Sequence, residues 1–251
     1  MLSALELNQY SRQIPVLGEE GQEKLRKACV FVAGAGGLST AVCGYLAAAG
    51  VGCLRIADPD TVDISNLNRQ IFYQARDDGK AKAAVLRERL LSLNPLIQIH
   101  ALVTKLNDSN ADELAGDASL LVDALDDFPG RYVLNRLALR RGIPLIHGAV
   151  REFYGQVTTI VPHKTPCLSC IWNNMPSAAV TPILGATCGV IGSIQATEAI
   201  KVLAGKGVNL LNRMFVWDGL RVEADIFQLE RNPACPSCGS ERREREGQDV
   251  C

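Results

Sequence analysis

The chain has 251 residues, with 26 lysines and arginines against 27 aspartates and glutamates, and 47% of its residues are hydrophobic. This near-neutral balance gives no reason to expect a nucleic-acid or membrane surface, and no apolar run approaches the ~18 residues of a membrane span. The N-terminus, MLSALELNQY, has no basic region followed by an apolar core, so no secretory signal is visible and a cytoplasmic protein is the simplest expectation.

Residues 3–27 read as one or two helices interrupted at Pro15 and Gly18. Residues 28–33 form a short apolar strand that runs into Gly34, Gly36 and Gly37. Leu38, Ala41, Val42, Tyr45, Leu46 and Ala49 then share one helical face, and residues 53–57 make a second strand ending at Asp58. Residues 60–73 are polar and irregular. A helix over 79–93 follows, then a strand over 97–103, a buried strand over 119–122, a helix over 131–141 and a strand over 145–147. Such alternation predicts a doubly wound, mostly parallel α/β sheet of Rossmann type. After Gly148 the character changes. Residues 156–161 alternate as an antiparallel strand does, 189–203 read as a helix, and 214–217 with 222–229 read as a hairpin around Asp218 and Gly219. The charged tail over 241–251 is expected to be disordered.

The glycine cluster lets the backbone turn tightly beside a phosphate, with the following helix N-terminus supplying amide donors. The dinucleotide fingerprint is imperfect, because Ser39 stands where a third glycine would. Asp58 is placed to accept ribose hydroxyls, which suits NAD and ATP equally. The following loop, with Ser65, Asn66, Asn68, Arg69 and Gln70, and then Lys82 in the first turn of the next helix, collects donors and positive charge near that turn. Phosphoryl or nucleotidyl transfer uses such cations and hydride transfer does not. Lys82 can also be read as a solvated helix lysine. Asp126, just past a buried strand, suits Mg²⁺, or alternatively caps the next helix.

Nine cysteines are many for a chain without a secretory signal. Cys167 with Cys170 and Cys235 with Cys238 form two C-x-x-C pairs, the spacing of a closed tetrahedral zinc site that staples the C-terminal segment to the loop after Pro166. Cys29, Cys43 and Cys53 lie in strand or helix patterns and read as core.

These motifs together resemble the MoeB/ThiF/HesA group, bacterial relatives of the ubiquitin-activating enzymes. The match spans YSRQI, GAGGL, DPDTV, SNLNRQ, GKAK, DALDD, both cysteine pairs and GVIGSIQATEAIK. The resemblance implies a single ThiF-type nucleotide-binding domain over 1–240, whose part over 150–240 carries the zinc site and a carrier-binding extension. It implies ATP, Mg²⁺ and Zn²⁺ as cofactors, and adenylation of the C-terminal glycine of a ubiquitin-like sulfur carrier ending in Gly-Gly. Carried onto this chain, Gly34, Gly36 and Gly37 approach the phosphates, Asp58 and Asp60 lie at the nucleotide, Ser65, Asn66, Asn68, Arg69, Gln70 and Lys82 surround it, and Asp126 binds Mg²⁺. Arg12 matches an arginine that reaches the partner's site in a homodimer, so Arg12, Arg69, Lys82 and Asp126 are the expected catalytic set.

Two departures stand out. Residues 173–185 lack the crossover cysteine of many relatives, leaving Cys188 as either a small buried residue or a nucleophile. The usual Asp-Asn is Asp126-Asp127 here. An NAD-dependent oxidoreductase, ATP-dependent activation of a small-molecule or tRNA-borne carboxylate, and a non-catalytic scaffold are the competing readings.

Overall fold

The computed structural model describes residues 1–173, 175 and 182–239, so the expected disordered tail and much of the crossover lie outside the described residues. One eight-stranded sheet runs in the order β3-β2-β1-β4-β5-β6-β7-β8. Its strands are β1 (Cys29–Ala33), β2 (Cys53–Ala57), β3 (Gln98–Leu102), β4 (Leu120–Asp123), β5 (Leu145–Arg151), β6 (Tyr154–Ile160), β7 (Arg213–Asp218) and β8 (Glu223–Gln228). The first five are parallel and the last three continue antiparallel. The change of direction falls within the hairpin that follows Gly148, as the sequence pattern predicts.

The helices are α1 (Ala4–Gln9), α2 (Ile14–Lys27), α3 (Gly37–Ala48), α4 (Lys82–Leu93), α5 (Ala111–Ala115), α6 (Phe128–Arg141), α7 (Leu168–Ile171) and α8 (Gly185–Ala204). Gly18, with φ 76°, kinks α2. Helix α4 begins at Lys82 rather than at residue 79, because Gly79 adopts φ 76° and the backbone becomes helical only after Ala81. Helix α6 starts three residues earlier than the periodicity predicts, since Asp127 caps it and Pro129 sits in its first turn, where the missing N–H costs nothing.

Alternate residues of β1 face opposite layers. Val30 and Val32 pack with Leu46 of α3, Leu86 of α4 and Ile191 of α8. Phe31 and Ala33 pack with Leu114 of α5 and Leu134 and Leu137 of α6. All five β1 residues are buried, as a central parallel strand covered on both faces must be. The chain runs outward from β1 to β2 and β3 on one side and to β4 and β5 on the other. The crevice beyond the carboxyl ends of β1 and β4 is therefore the topological switch point, where such sheets hold ligands.

Gly34 makes this crevice. Its φ is 101°, and a Cβ there would lie 2.6 Å from the Ala124 carbonyl oxygen. Gly79 has positive φ too, but a Cβ there meets nothing within 4 Å. Gly34→Ala is expected to cost about 3 kcal/mol in urea unfolding, combining backbone strain with a steric clash, against about 1 kcal/mol for Gly79→Ala. Equal losses would contradict the close approach of the turn to Ala124.

Candidate nucleotide site and cysteine quartet

Three elements lock the turn between β1 and α3. The Ala35 amide donates to Asp58 Oδ2 at 2.6 Å, the Tyr73 hydroxyl donates to the Ala35 carbonyl at 2.6 Å, and the Ser39 hydroxyl donates to the Gly34 carbonyl at 2.6 Å. Ser39 is thus part of the turn's internal bonding rather than a flaw in a dinucleotide fingerprint. Close helix packing is supplied instead by Gly192 of α8, where a Cβ would fall 2.7 Å from Ala41 of α3. Tyr73, which sequence reasoning missed, carries no spacing signal. Its phenol is pushed above its ordinary range, chiefly by burial, and stays a donor.

Asp58 is buried, and its other oxygen accepts the Asp60 amide at 2.8 Å. Burial raises its carboxyl above the ordinary range, and the two amide bonds oppose that shift. A carboxylate has about four acceptor positions, so room is left for ribose hydroxyls. Lys82 is not the solvated lysine of the alternative reading: its side chain is 9% exposed and its ammonium meets Asp60 Oδ2 at 3.0 Å. Its backbone amide also bonds the Asp60 carbonyl, at 2.9 Å, so residue 60 fixes both ends of Lys82.

The loop with Ser65, Asn66, Asn68, Arg69 and Gln70 lies across the turn. Arg69 donates to the Ser65 carbonyl and to Asn68 Oδ1, both at 3.0 Å. Gln70 is 3% exposed and its amide nitrogen lies 3.8 Å from the Cβ position of Gly36. Gln70 Oε1 and Asn66 Oδ1 are buried without hydrogen-bond partners among the described residues. Buried unpaired polar atoms cost roughly 1–3 kcal/mol each, so two of them in this loop, one on the residue that faces Gly36, mark a place shaped for a polar ligand.

Asp126 is exposed, and among the described residues no hydrogen bond or ion pair engages its carboxylate. The capping role goes to Asp127, whose Oδ1 accepts the Gly130 amide at 2.6 Å. This accounts for the second acid and leaves Asp126 free to face a ligand. Behind this loop sits a buried cluster that sequence reasoning passed over: Asp123 Oδ2 meets His147 Nδ1 at 2.6 Å and Arg131 Nε at 3.6 Å. Asp123 Oδ1 accepts the Leu125 amide at 3.1 Å, and Arg131 donates to the Leu125 carbonyl at 2.7 Å, so the cluster holds the loop that carries Asp126. Burial keeps His147 below its ordinary pKa range, hence neutral at physiological pH.

Arg12 is exposed and lies outside this constellation. Its neighbours Tyr10 and Gln13 pack at the C-terminal end of α3, against Gly50 and the Ala49 carbonyl. The glycine turn is at the other end of α3, about 18 Å away for a helix of 12 residues. One chain does not bring Arg12 to its own turn.

The four C-x-x-C thiols converge. Sulfur separations are 3.9 Å for Cys167–Cys170, 3.7 Å for Cys167–Cys235 and 3.4 Å for Cys170–Cys238. Zn–S bonds of ~2.3 Å in a tetrahedron require edges of about 3.8 Å, so the donor set fits a soft tetrahedral ion. Hydrogen bonding from Cys167 holds the Cys238 thiol well below its ordinary range, toward the thiolate a metal needs. The two middle serines are also joined, Ser237 to Ser169 at 2.8 Å. The 235–238 knuckle is thereby fastened to the loop after Pro166, as the spacing predicts.

Cys188 is 2% exposed, and its sulfur lies 2.8 Å from the Cβ position of Gly37. Burial pushes its thiol up to about 11, although the Arg69 charge pulls the other way. Of the two readings, the small buried residue prevails, and it packs the underside of the glycine turn.

Comparison with known proteins gives the family and the fold. The ThiF family model matches residues 10–237. The chain belongs to the ThiF family. It is 41% identical to the sulfur carrier protein adenylyltransferase of Thermus thermophilus, over 96% of this chain and 94% of that protein. It is 39% identical to the SAMP-activating enzyme E1 of Haloferax volcanii (95% and 91%) and 40% identical to the sulfur carrier protein ThiS adenylyltransferase of Bacillus subtilis (92% and 71%). In fold it is similar to the crystal structure of E. coli MccB with ATP, with a TM-score of 0.81 at 24% identity over 94% of this chain and 75% of that one.

Iodoacetamide is expected to label Cys188 in the native ThiF-family chain about 100-fold more slowly than in the urea-unfolded chain, read by peptide mass spectrometry, since the thiolate is the reactive form. Comparable rates would restore Cys188 as a candidate nucleophile.

Proposed function

We propose that this protein joins AMP to the C-terminal glycine of a ubiquitin-like sulfur carrier ending in Gly-Gly, releasing pyrophosphate. The observation that carries the reading is Lys82, a buried ammonium held beside the glycine turn by the exposed Asp60. The names of the relatives at 41% and 40% identity support the same activity.

A carboxylate attacking a phosphorus atom must overcome the repulsion between two anions. Lys82 exchanges Asp60 for phosphate oxygens, and Arg69 supplies a second cation from the facing loop. Asn66 and Gln70 each have an unpaired amide end. A half-turn of either amide presents its NH₂ to the phosphates. The amides of the Gly34 to Gly37 turn and the N-terminus of α3 add donors with no reorganisation. Asp58 takes the ribose. Asp126 is the free carboxylate suited to Mg²⁺, which supplies further neutralisation of the triphosphate when bound. Zinc in the cysteine quartet plays no chemical part; a closed Cys₄ set is structural.

The active unit in this proposal is a homodimer in which Arg12 completes the partner's site, because within one chain it sits at the far end of α3. The carrier docks along β7 and β8, whose hairpin exposes Leu220, Val222, Ile226 and Phe227. A reduced compartment, the cytoplasm, suits four ligating thiols. Among the described residues no helix is long and apolar enough to cross a membrane.

ATP–pyrophosphate exchange is expected only with a Gly-Gly-ending carrier, and Arg69→Ala with Lys82→Ala is expected to lower it by about 1,000-fold or more. Arg12→Ala and Lys82→Ala homodimers should each be inactive, while mixing them should restore about a quarter of wild-type exchange through hybrid dimers with one intact site. Exchange driven by free amino acids, or surviving the double substitution, would contradict the proposal. Failure of the mixture alone would remove Arg12 and leave the rest.

A further inference from the structure

At the opposite end of the sheet from the glycine turn, the N-termini of β1 and β2 place Cys29 and Cys53 directly across from each other in register. Both lie on the face that carries α5 and α6, as the alternation of β1 requires. Asp117, in the loop between α5 and β4, brings a carboxylate to the same point. The two sulfurs and a carboxylate oxygen all lie within 4.8 Å of one another. From this geometry we propose a second metal site, for a soft divalent cation such as zinc, with Cys29, Cys53 and Asp117 as ligands and a fourth position open to solvent.

The donor set selects the class of ion. Thiolates favour soft ions, and a tetrahedral ion with Zn–S near ~2.3 Å and Zn–O near ~2.0–2.2 Å spans donors about 3.5–3.8 Å apart, inside the 4.8 Å limit within which these donors lie. The two sulfurs face each other across the β1–β2 pairing, within 4.8 Å. Access differs from that of a core pair: Cys29 is buried, Cys53 is half-buried and Asp117 is exposed, so an ion can enter from solvent.

Charge balance supports a cation over a disulfide. The Asp117 carboxylate at the same point adds negative charge that a cation neutralises and a disulfide does not. Two thiolates, a carboxylate and a divalent ion sum to one negative charge. Arg55, two residues along β2 on the same face, supplies the balancing positive charge. Its guanidinium is held in place by the Leu114 carbonyl at 2.7 Å and the Glu113 carbonyl at 3.1 Å, so it neighbours the site without occupying it. A bound ion ties β1, β2 and the lead-in to β4 together at the foot of the sheet.

The test is titration of the reduced, zinc-loaded protein with Cd²⁺, read by metal analysis after desalting and by Cd–thiolate absorption. Wild type should take up one ion per chain beyond that of the cysteine quartet, and this ion should slow iodoacetamide labelling of Cys53 at least tenfold. Cys53→Ser should lose that ion and keep the other, which also reports an intact fold. Asp117→Asn, an exposed change, should weaken the extra site at least tenfold. Equal ion counts in wild type and Cys53→Ser, or Cys53 labelling that ignores Cd²⁺, would overturn the proposal. Neither readout depends on adenylation.

Discussion

The carboxylate of Asp58 is the point on which the site depends. It ends β2 and bonds the Ala35 amide in the turn after β1 and the Asp60 amide in the loop that leads to α4. Asp60 in turn bonds Lys82 at backbone and ammonium. One buried acid thus fixes the glycine turn and, through two residues, the position of the buried cation. Hydrogen bonds to an ionised acceptor are the stronger kind, and the one from Ala35 to Asp58 is buried away from competing water.

The opposite wall is held in a similar way. Asp123, His147 and Arg131 keep the loop bearing Asp126 in place while Asp127 absorbs the helix N-terminus. Trp172 packs at a tilt of 55° against His147 with ring centroids 5.2 Å apart, and it follows the first cysteine pair by two residues. The Trp172 carbonyl accepts the Tyr132 hydroxyl at 2.9 Å, and the Leu168 amide donates to the buried Asn135 of α6 at 2.9 Å. The cysteine quartet is therefore packed against the same helix and cluster that hold the Asp126 loop. Its contribution to the site is to order that wall.

Much of this was readable in the sequence because its signals are local. The alternation of apolar runs, the glycines after β1, the acid ending β2 and the spacing of the cysteine pairs each follow from a period or a fixed turn, and all lie where they were expected. What escaped was non-local. Tyr73 supports the turn from 38 positions away in the chain, and His147 meets Asp123 across two strands. The short helix α5 has too few residues to show a period. The choice between Asp126 and Asp127 as cap turns on the exact first residue of α6, Phe128, which puts Asp127 at the cap. Cys29 and Cys53 each read as core within their own strands; only the register of β1 on β2 makes them a pair. Arg12 is read from its motif as reaching a partner's site, and its place at the far end of α3 from its own turn is compatible with that.

The central claim is that the turn, Asp58, Arg69 and Lys82 form one mononucleotide site rather than half of a dinucleotide site. A crystal structure with a non-hydrolysable ATP analogue and the homologous carrier tests it most directly. The account predicts the ribose on Asp58, the phosphates between the Gly34 to Gly37 turn and Lys82, and the carrier's terminal glycine within reach of the α-phosphate. Phosphates bound away from Lys82, or ordered NAD with its nicotinamide between β1 and β4, would contradict it.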